Sequence, residues 1–135
     1  MATVFIFMED LTPEETSRLQ SQSLHAYGIL VEELRKNSIE FKLARAEIPL
    51  DLRTTGIKGD QRVYQHLIIL SIIERNGNLM PPNWDLLGRV STRITNECLD
   101  ITRVTYLVGA KQKVLDYFSR SFEQSEGYRK PLMQP

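Results

Sequence analysis

An α+β fold, built as a two-layer sandwich of helices on a sheet, is predicted by three features of this sequence. Apolar spacing alternates along the chain between the 3.6-residue period of a helix and the two-residue period of a strand. The longest apolar stretch, residues 63–73, is dense in β-branched and aromatic residues, and Leu67, Ile68, Ile69 and Leu70 at its centre offer no polar face to water. Such a strand is normally buried on both sides. Gly- and Pro-bearing turn signals separate the segments, giving the order strand, helix, strand, strand, helix, strand, helix.

Residues 2–8 are short, β-branched and aromatic, and read as a strand at a sheet edge. Thr12 then suits an N-cap, Pro13 the first helical position and Glu15 the third residue of a capping box, so a helix is predicted from there to about Asn37. Leu19, Ala26, Tyr27, Leu30, Val31 and Leu34 form its apolar stripe, while Glu32, Glu33, Arg35 and Lys36 read as a solvated face. Gly28 costs this helix about 1 kcal/mol relative to Ala, and a close backbone approach would account for it. Ile39, Phe41 and Leu43 alternate with Glu40 and Lys42 as in a half-exposed strand, which Pro49 interrupts.

Gly56 and Gly59 bracket Ile57 and Lys58, and together with Asp60 they are expected to form a turn that feeds the central strand. Asn76, Gly77, Asn78, Pro81 and Pro82 mark the loop after it. A second helix is predicted from Asn83 or Trp84, burying Leu87, Val90, Ile94 and Cys98 and placing Arg89, Arg93 and Glu97 on another face. Residues 101–108 read as the last core strand. Val114, Leu115, Phe118 and Phe122 predict a short helix over about residues 111–123, and residues 124–135 a flexible tail, so that one domain occupies residues 1–123.

With 135 residues and 41% hydrophobic composition, a single modest core is expected. Basic and acidic residues balance at 17 each, which argues against a dedicated nucleic-acid binder. A single cysteine forms no internal disulfide and fits a reducing cytoplasm. No segment reaches the roughly 20 apolar residues of a membrane span, and the apolar start lacks a basic leader and a cleavage site.

Residues 52–64, LRTTGIKGDQRVY, resemble the V-R-S/T-V-G-V-x-G-D-x-R-T-Y segment of the C-terminal dimerisation domain of GMP synthetase. Residues 29–36, ILVEELRK, are similar to that family's helix ending I-x-E-E-L-R-K; residues 84–97, WDLLGRVSTRITNE, to its W/Y-D-x-L-x-K/R-x-S-T/N-R-I-x-N-E helix; and residues 103–106, RVTY, to its R-V-V-Y strand. The similarity is collinear over about residues 24–111, so the N-terminal strand and the C-terminal helix are additions. It implies a KH-like α+β dimerisation fold. The family's glutaminase nucleophile and the S-G-G-x-D-S loop of its ATP-pyrophosphatase have no counterpart here, which makes this a dimerisation domain standing alone. The unrelated initial strand, with its own methionine, favours an independent gene product.

The resemblance therefore implies a homodimerising module, associated with GMP biosynthesis and without catalysis of its own, that needs no cofactor or metal. An apolar strand whose one side is covered by its own helices invites a second copy on the other, which places Tyr64, His66, Leu67, Ile68, Ile69 and Leu70 at the expected dimer interface. The alternative is an accessory subunit that binds xanthosine monophosphate and completes a separately encoded pyrophosphatase. By resemblance its substrate-binding residues are Lys58, Asp60, Arg62 and Lys111. The family's K-P-P tail is broken here, Gln112 and Lys113 standing where its prolines fall, which weighs against that alternative.

A third reading takes residues 56–59, GIKG, as the G-x-x-G clamp of a KH-like RNA binder. That clamp joins two helices, whereas this one precedes a strand, so coincidence is favoured. Cys98 with His25 or His66 would be needed for thiol catalysis, but Cys98 falls on an apolar stripe and reads as a buried core thiol. The same three residues are too scattered to ligate zinc.

Overall fold

The computed structural model describes residues 5–7, 12–49, 52–58 and 61–110, with side chains for 12–49 and 65–110. In chain order the elements are β1 (Phe5–Phe7), α1 (Pro13–Lys36), β2 (Leu43–Glu47), β3 (Leu52–Lys58), β4 (Gln61–Ile73), α2 (Trp84–Glu97) and β5 (Ile101–Tyr106). The α+β class predicted from the sequence is what is observed.

α1 begins as its sequence dictates. Thr12 accepts a hydrogen bond from the Glu15 amide at 3.1 Å, and Pro13 opens the helix. Asn37 closes it, its backbone N–H directed to the carbonyls of Glu33 and Arg35, and Ser38 turns the chain at φ 55. α2 uses the same device: the Asn83 side chain accepts from the Leu86 amide at 3.1 Å.

β4 is the spine. Its last residues pair antiparallel with β2, Leu43 opposite Ile73 through Glu47 opposite Ile69, and residues 66–70 pair parallel with β5. Ile69 and Leu70 take part in both ladders, so β2 and β5 flank β4 on opposite sides. Its first residues pair antiparallel with β3, and β3 in turn with β1. A register irregularity between His66 and Leu67 marks where β4 passes from the β5 ladder's start into its regular part.

Period two divides the sheet's side chains cleanly. Ala44, Ala46, Ile68, Leu70 and Ile72 join Leu19, Ala26, Ile29, Leu30, Leu34, Leu86, Val90 and Ile94 in the core, so both helices cover the same face. Phe41, fully buried, plugs the end of that layer. Tyr106 is half-buried against the cluster and donates its hydroxyl to the Met80 carbonyl at 2.7 Å.

Several expectations change. Gly56, Ile57 and Lys58, expected in a turn, belong to a strand: Gly56 stands opposite Val63 and Lys58 opposite Gln61, because pairing with β4 extends to residue 58. The G-x-x-G reading loses its loop for the same reason. The strand expected from Ile39 starts at Leu43; Phe41 alternates with its neighbours because it fills the core from a loop. Ile29 joins the buried face of α1, and Glu33, expected in solvent, is buried there too. Outside its own helix no described residue comes within 4 Å of where a Gly28 side chain would stand, so the close approach expected at that glycine does not occur among the described residues. The helix over 111–123 and the tail after it lie outside the described residues.

Candidate functional site

The face of the sheet away from the helices follows from the same alternation. Leu43, Arg45 and Glu47 of β2, Leu67, Ile69, Ser71 and Ile73 of β4, and Arg103 and Thr105 of β5 share it by register. It is closed on the β2 side, where Arg45, Ser71 and Ile73 are buried, and it opens towards β5, where Arg103 and Thr105 are exposed and Ile69 between them and β2 is only half-buried. Thr105 anchors this edge by donating from Oγ1 to the Ile68 carbonyl at 2.9 Å. Burial pushes the Glu47 carboxyl up from its ordinary value, and the Arg45 charge beside it only partly offsets this.

The residues expected at a dimer seam divide between the two faces. Leu67 is buried and Ile69 half-buried on the open face, whereas Ile68 and Leu70 are fully buried beneath the protein's own helices. His66 is buried, and its amide donates to the Asp100 carbonyl at 2.9 Å, tying β4 to the start of β5. Tyr64 stands opposite Thr55 in the β3–β4 ladder. Of the phosphate-binding candidates, Lys58 ends β3 opposite Gln61, and Arg62 stands opposite Ile57, one ladder position away. Asp60 and Lys111 lie outside the described residues.

A second constellation joins the helices, and the sequence reading missed its centre. Glu33 on α1 meets three cations: Arg93 Nη1 at 3.0 Å, Arg89 Nε at 3.4 Å and Lys36 Nζ at 3.6 Å. Burial opposes ionisation of this carboxyl, but the Arg93 hydrogen bond, the Lys36 and Arg93 charges and the Arg89 hydrogen bond together outweigh it and hold it below its ordinary value. Arg93 also reaches Glu32 and Glu97, and Glu97 meets His25 Nε2 at 2.8 Å. The His25 and Arg93 hydrogen bonds lower the Glu97 carboxyl. The signal was present: Glu33 lies three and four residues after Leu30 and Ile29, on the apolar stripe, and an acid there needs a partner.

A third set fixes the entry to β5. The Gln22 side chain donates to Asp100 Oδ2 at 2.7 Å and accepts from the Asp100 amide at 3.0 Å, and Arg18 pairs with the same carboxylate. Cys98, 1% exposed, directs Sγ to the Gln22 carbonyl at 3.7 Å, and burial followed by the Glu97 charge pushes its thiol up to about 11. A protonated, buried thiol beside a carbonyl is not an activated nucleophile. Among the described residues no group of three or more His, Cys, Asp or Glu could hold a metal ion, and no helix is long and apolar enough to cross a membrane.

The family model described as GMP synthase C terminal domain matches residues 32–114, more than half of the chain. Similar curated proteins carry the name GMP synthase [glutamine-hydrolyzing]. That of Hamiltonella defensa is 39% identical over 92 residues, 64% of this chain and 17% of the relative. That of Escherichia coli O1:K1 / APEC is 38% identical over the same share of both chains, and that of Desulfotalea psychrophila 29% identical over 110 residues, 77% of this chain and 20% of the relative. The chain thus spans at most about a fifth of the length of these relatives.

Proposed function

Since the chain belongs to the GMP synthase C-terminal domain family, we propose that it acts in GMP biosynthesis as an association module, a homodimer without catalysis of its own. The observation that supports this is that β4 is apolar on both faces while α1 and α2 cover only one. On the other face Ile69 is half-buried beside exposed Thr105 and Arg103, and a second copy laid there completes its cover. Fully burying one large apolar side chain contributes about 1.5–3 kcal/mol, and Leu43 and Ile69, both half-buried, are the apolar side chains that a second copy would cover on this face.

The test contrasts two neighbours. Ile69→Asp should leave a folded chain of half the sedimenting mass, because its side chain lies on the open face, whereas Ile68→Asp should unfold the domain. A wild type that sediments as a monomer at every concentration, or an Ile69→Asp variant of unchanged mass, would overturn the reading.

A second reading is an accessory that binds xanthosine monophosphate for a separately encoded pyrophosphatase subunit. It rests on the family match, which spans these positions, and not on the β3–β4 register, in which Lys58 and Arg62 take adjacent ladder positions and so alternate between the two faces of the sheet. A ligand at 100 times its Kd adds about 2.7 kcal/mol, so melting with xanthosine monophosphate, with GMP and ATP as controls, decides it. A rise specific to xanthosine monophosphate and lost in Arg62→Ala supports the accessory; equal midpoints with all three sink it.

A further inference from the structure

We propose that the outer face of α1 is a second, separate contact between copies of this chain, in which two α1 helices lie antiparallel about a two-fold axis near Leu24 and His25. α1 is 24 residues long, about 36 Å at 1.5 Å per residue. Its outward side carries Glu14, Ser17, Ser21, Leu24, Gly28 and Arg35, all exposed. Glu14, Ser21, Gly28 and Arg35 recur every seven residues, a spacing that drifts only about 20° around the helix per repeat. Over three repeats they drift about 60° and form a gently winding seam along one side.

That seam is self-complementary. Turning a second α1 end for end about the midpoint of Pro13–Lys36 sets Glu14 against Arg35 of the second copy, Ser21 against its Gly28, and Leu24 beside its Leu24 and His25. Each end pair occurs twice by symmetry, as an isologous contact requires. Antiparallel helices also bring each positive N-terminus beside a negative C-terminus. An unrelated partner would need complementarity to its own surface, not between the two ends of this helix.

Three local facts support the contact. Glu14 and Arg35 make no side-chain ion pair with the described residues, whereas Arg18, His25 and Glu32 on the flank are engaged by Asp100, Glu97 and Arg93. Leu24, 38% exposed, puts an apolar side chain at the two-fold. Gly28 sits mid-helix at a cost of about 1 kcal/mol relative to Ala, with nothing among the described residues, its own helix backbone aside, within 4 Å of where its side chain would stand. A backbone brought close by a second copy supplies a reason that the described residues do not. This contact lies on the helix layer, opposite the open sheet face, and does not depend on it.

Sedimentation velocity at low ionic strength, on the full chain in the Ile69→Asp background and in wild type, tests the proposal. Gly28→Leu should halve the sedimenting mass in both backgrounds while raising the melting midpoint of the single chain. Glu14→Arg and Arg35→Glu should each halve it, the double exchange should restore it, and high salt should weaken the wild-type contact. A Gly28→Leu protein of unchanged mass, or a double exchange that fails to recover what each single reversal loses, overturns the proposal. Loss of association in Ile69→Asp alone, with Gly28→Leu unchanged, would support the sheet face and reject this one.

Discussion

Arg93 on α2 donates from Nη1 to Oε2 of Glu33 on α1 at 3.0 Å, across 60 residues of chain. With Arg89–Glu33, Arg93–Glu32 and His25–Glu97 it ties the two helices together. Glu33 is almost completely buried, so its charge is tolerated only because Arg93, Arg89 and Lys36 surround it. The helix layer is thus held by apolar packing and by a charge network centred on the Glu33 carboxylate.

Removing that carboxylate should loosen the layer. Glu33→Gln keeps the shape and loses the charge-assisted bonds, at an expected cost on the order of 1–2 kcal/mol. Arg93→Ala should cost less than Glu33→Gln combined with Arg89→Ala, since Arg89 and Lys36 remain to face the acid. Urea unfolding of the variants measures both; a Glu33→Gln midpoint equal to wild type would mean the network adds nothing.

Acid should act through the same group. The folded-state value of Glu33 is depressed, so its contribution is complete above the ordinary value of 4.5 and is lost as pH falls through the lower folded value. Glu97 has the same sign. Melting midpoints should therefore hold from neutral pH down to the ordinary carboxylate range and drop below it, less steeply in Glu33→Gln. An identical acid slope in the variant would contradict the assignment.

Glu47 should behave in the opposite way. Burial raises its folded value, so its ionisation opposes folding at neutral pH and the penalty lifts as pH falls through that value towards 4.5. Glu47→Gln is expected to raise the melting midpoint at pH 7 and to lose the advantage in acid. A lower midpoint at pH 7 would show that the charge is used, by Arg45 or at a contact between copies.

Cys98 should be silent in the native protein. It is 1% exposed and its thiol is pushed up to about 11, so a disulfide reagent near pH 8 should label it only at the rate of opening and rapidly in denaturant. Fast stoichiometric labelling of the folded chain would contradict its place in the core.

Capping gives a control independent of any partner. Thr12→Ala and Asn83→Ala each remove the acceptor of a first-turn amide and should each cost about 1 kcal/mol. Their effects should add, because the caps sit on different helices; strong non-additivity would place the two sites in one coupled network.

Both helices were legible in the sequence because each carries its own start signal and a 3.6-residue stripe; α1 and α2 begin within a residue of their caps at Thr12 and Asn83. The spine strand was legible because an unbroken apolar run has only one comfortable place, between two covered faces. β3 was not, since Gly56, Gly59 and Asp60 read as a turn and only the register with β4 makes residues 52–58 a strand. Phe41 misled for a related reason: alternation records which side chains seek the core, not whether the backbone between them is paired.

The sequence by itself determined the class of fold, the caps, the two apolar helix stripes, the buried thiol and the family to which the residues belong, all of which depend on neighbours a few positions apart. Only the tertiary structure decided which face of β4 lies under the helices, that Ile68 and Ile69 therefore belong to opposite layers, and that Glu33 is a buried ion rather than a solvated one. Those facts depend on pairing between Glu47, Ile69 and Thr105 and between Glu33 and Arg93, residues far apart in the chain. A period marks a face but does not name what covers it, and that is settled when the elements pack.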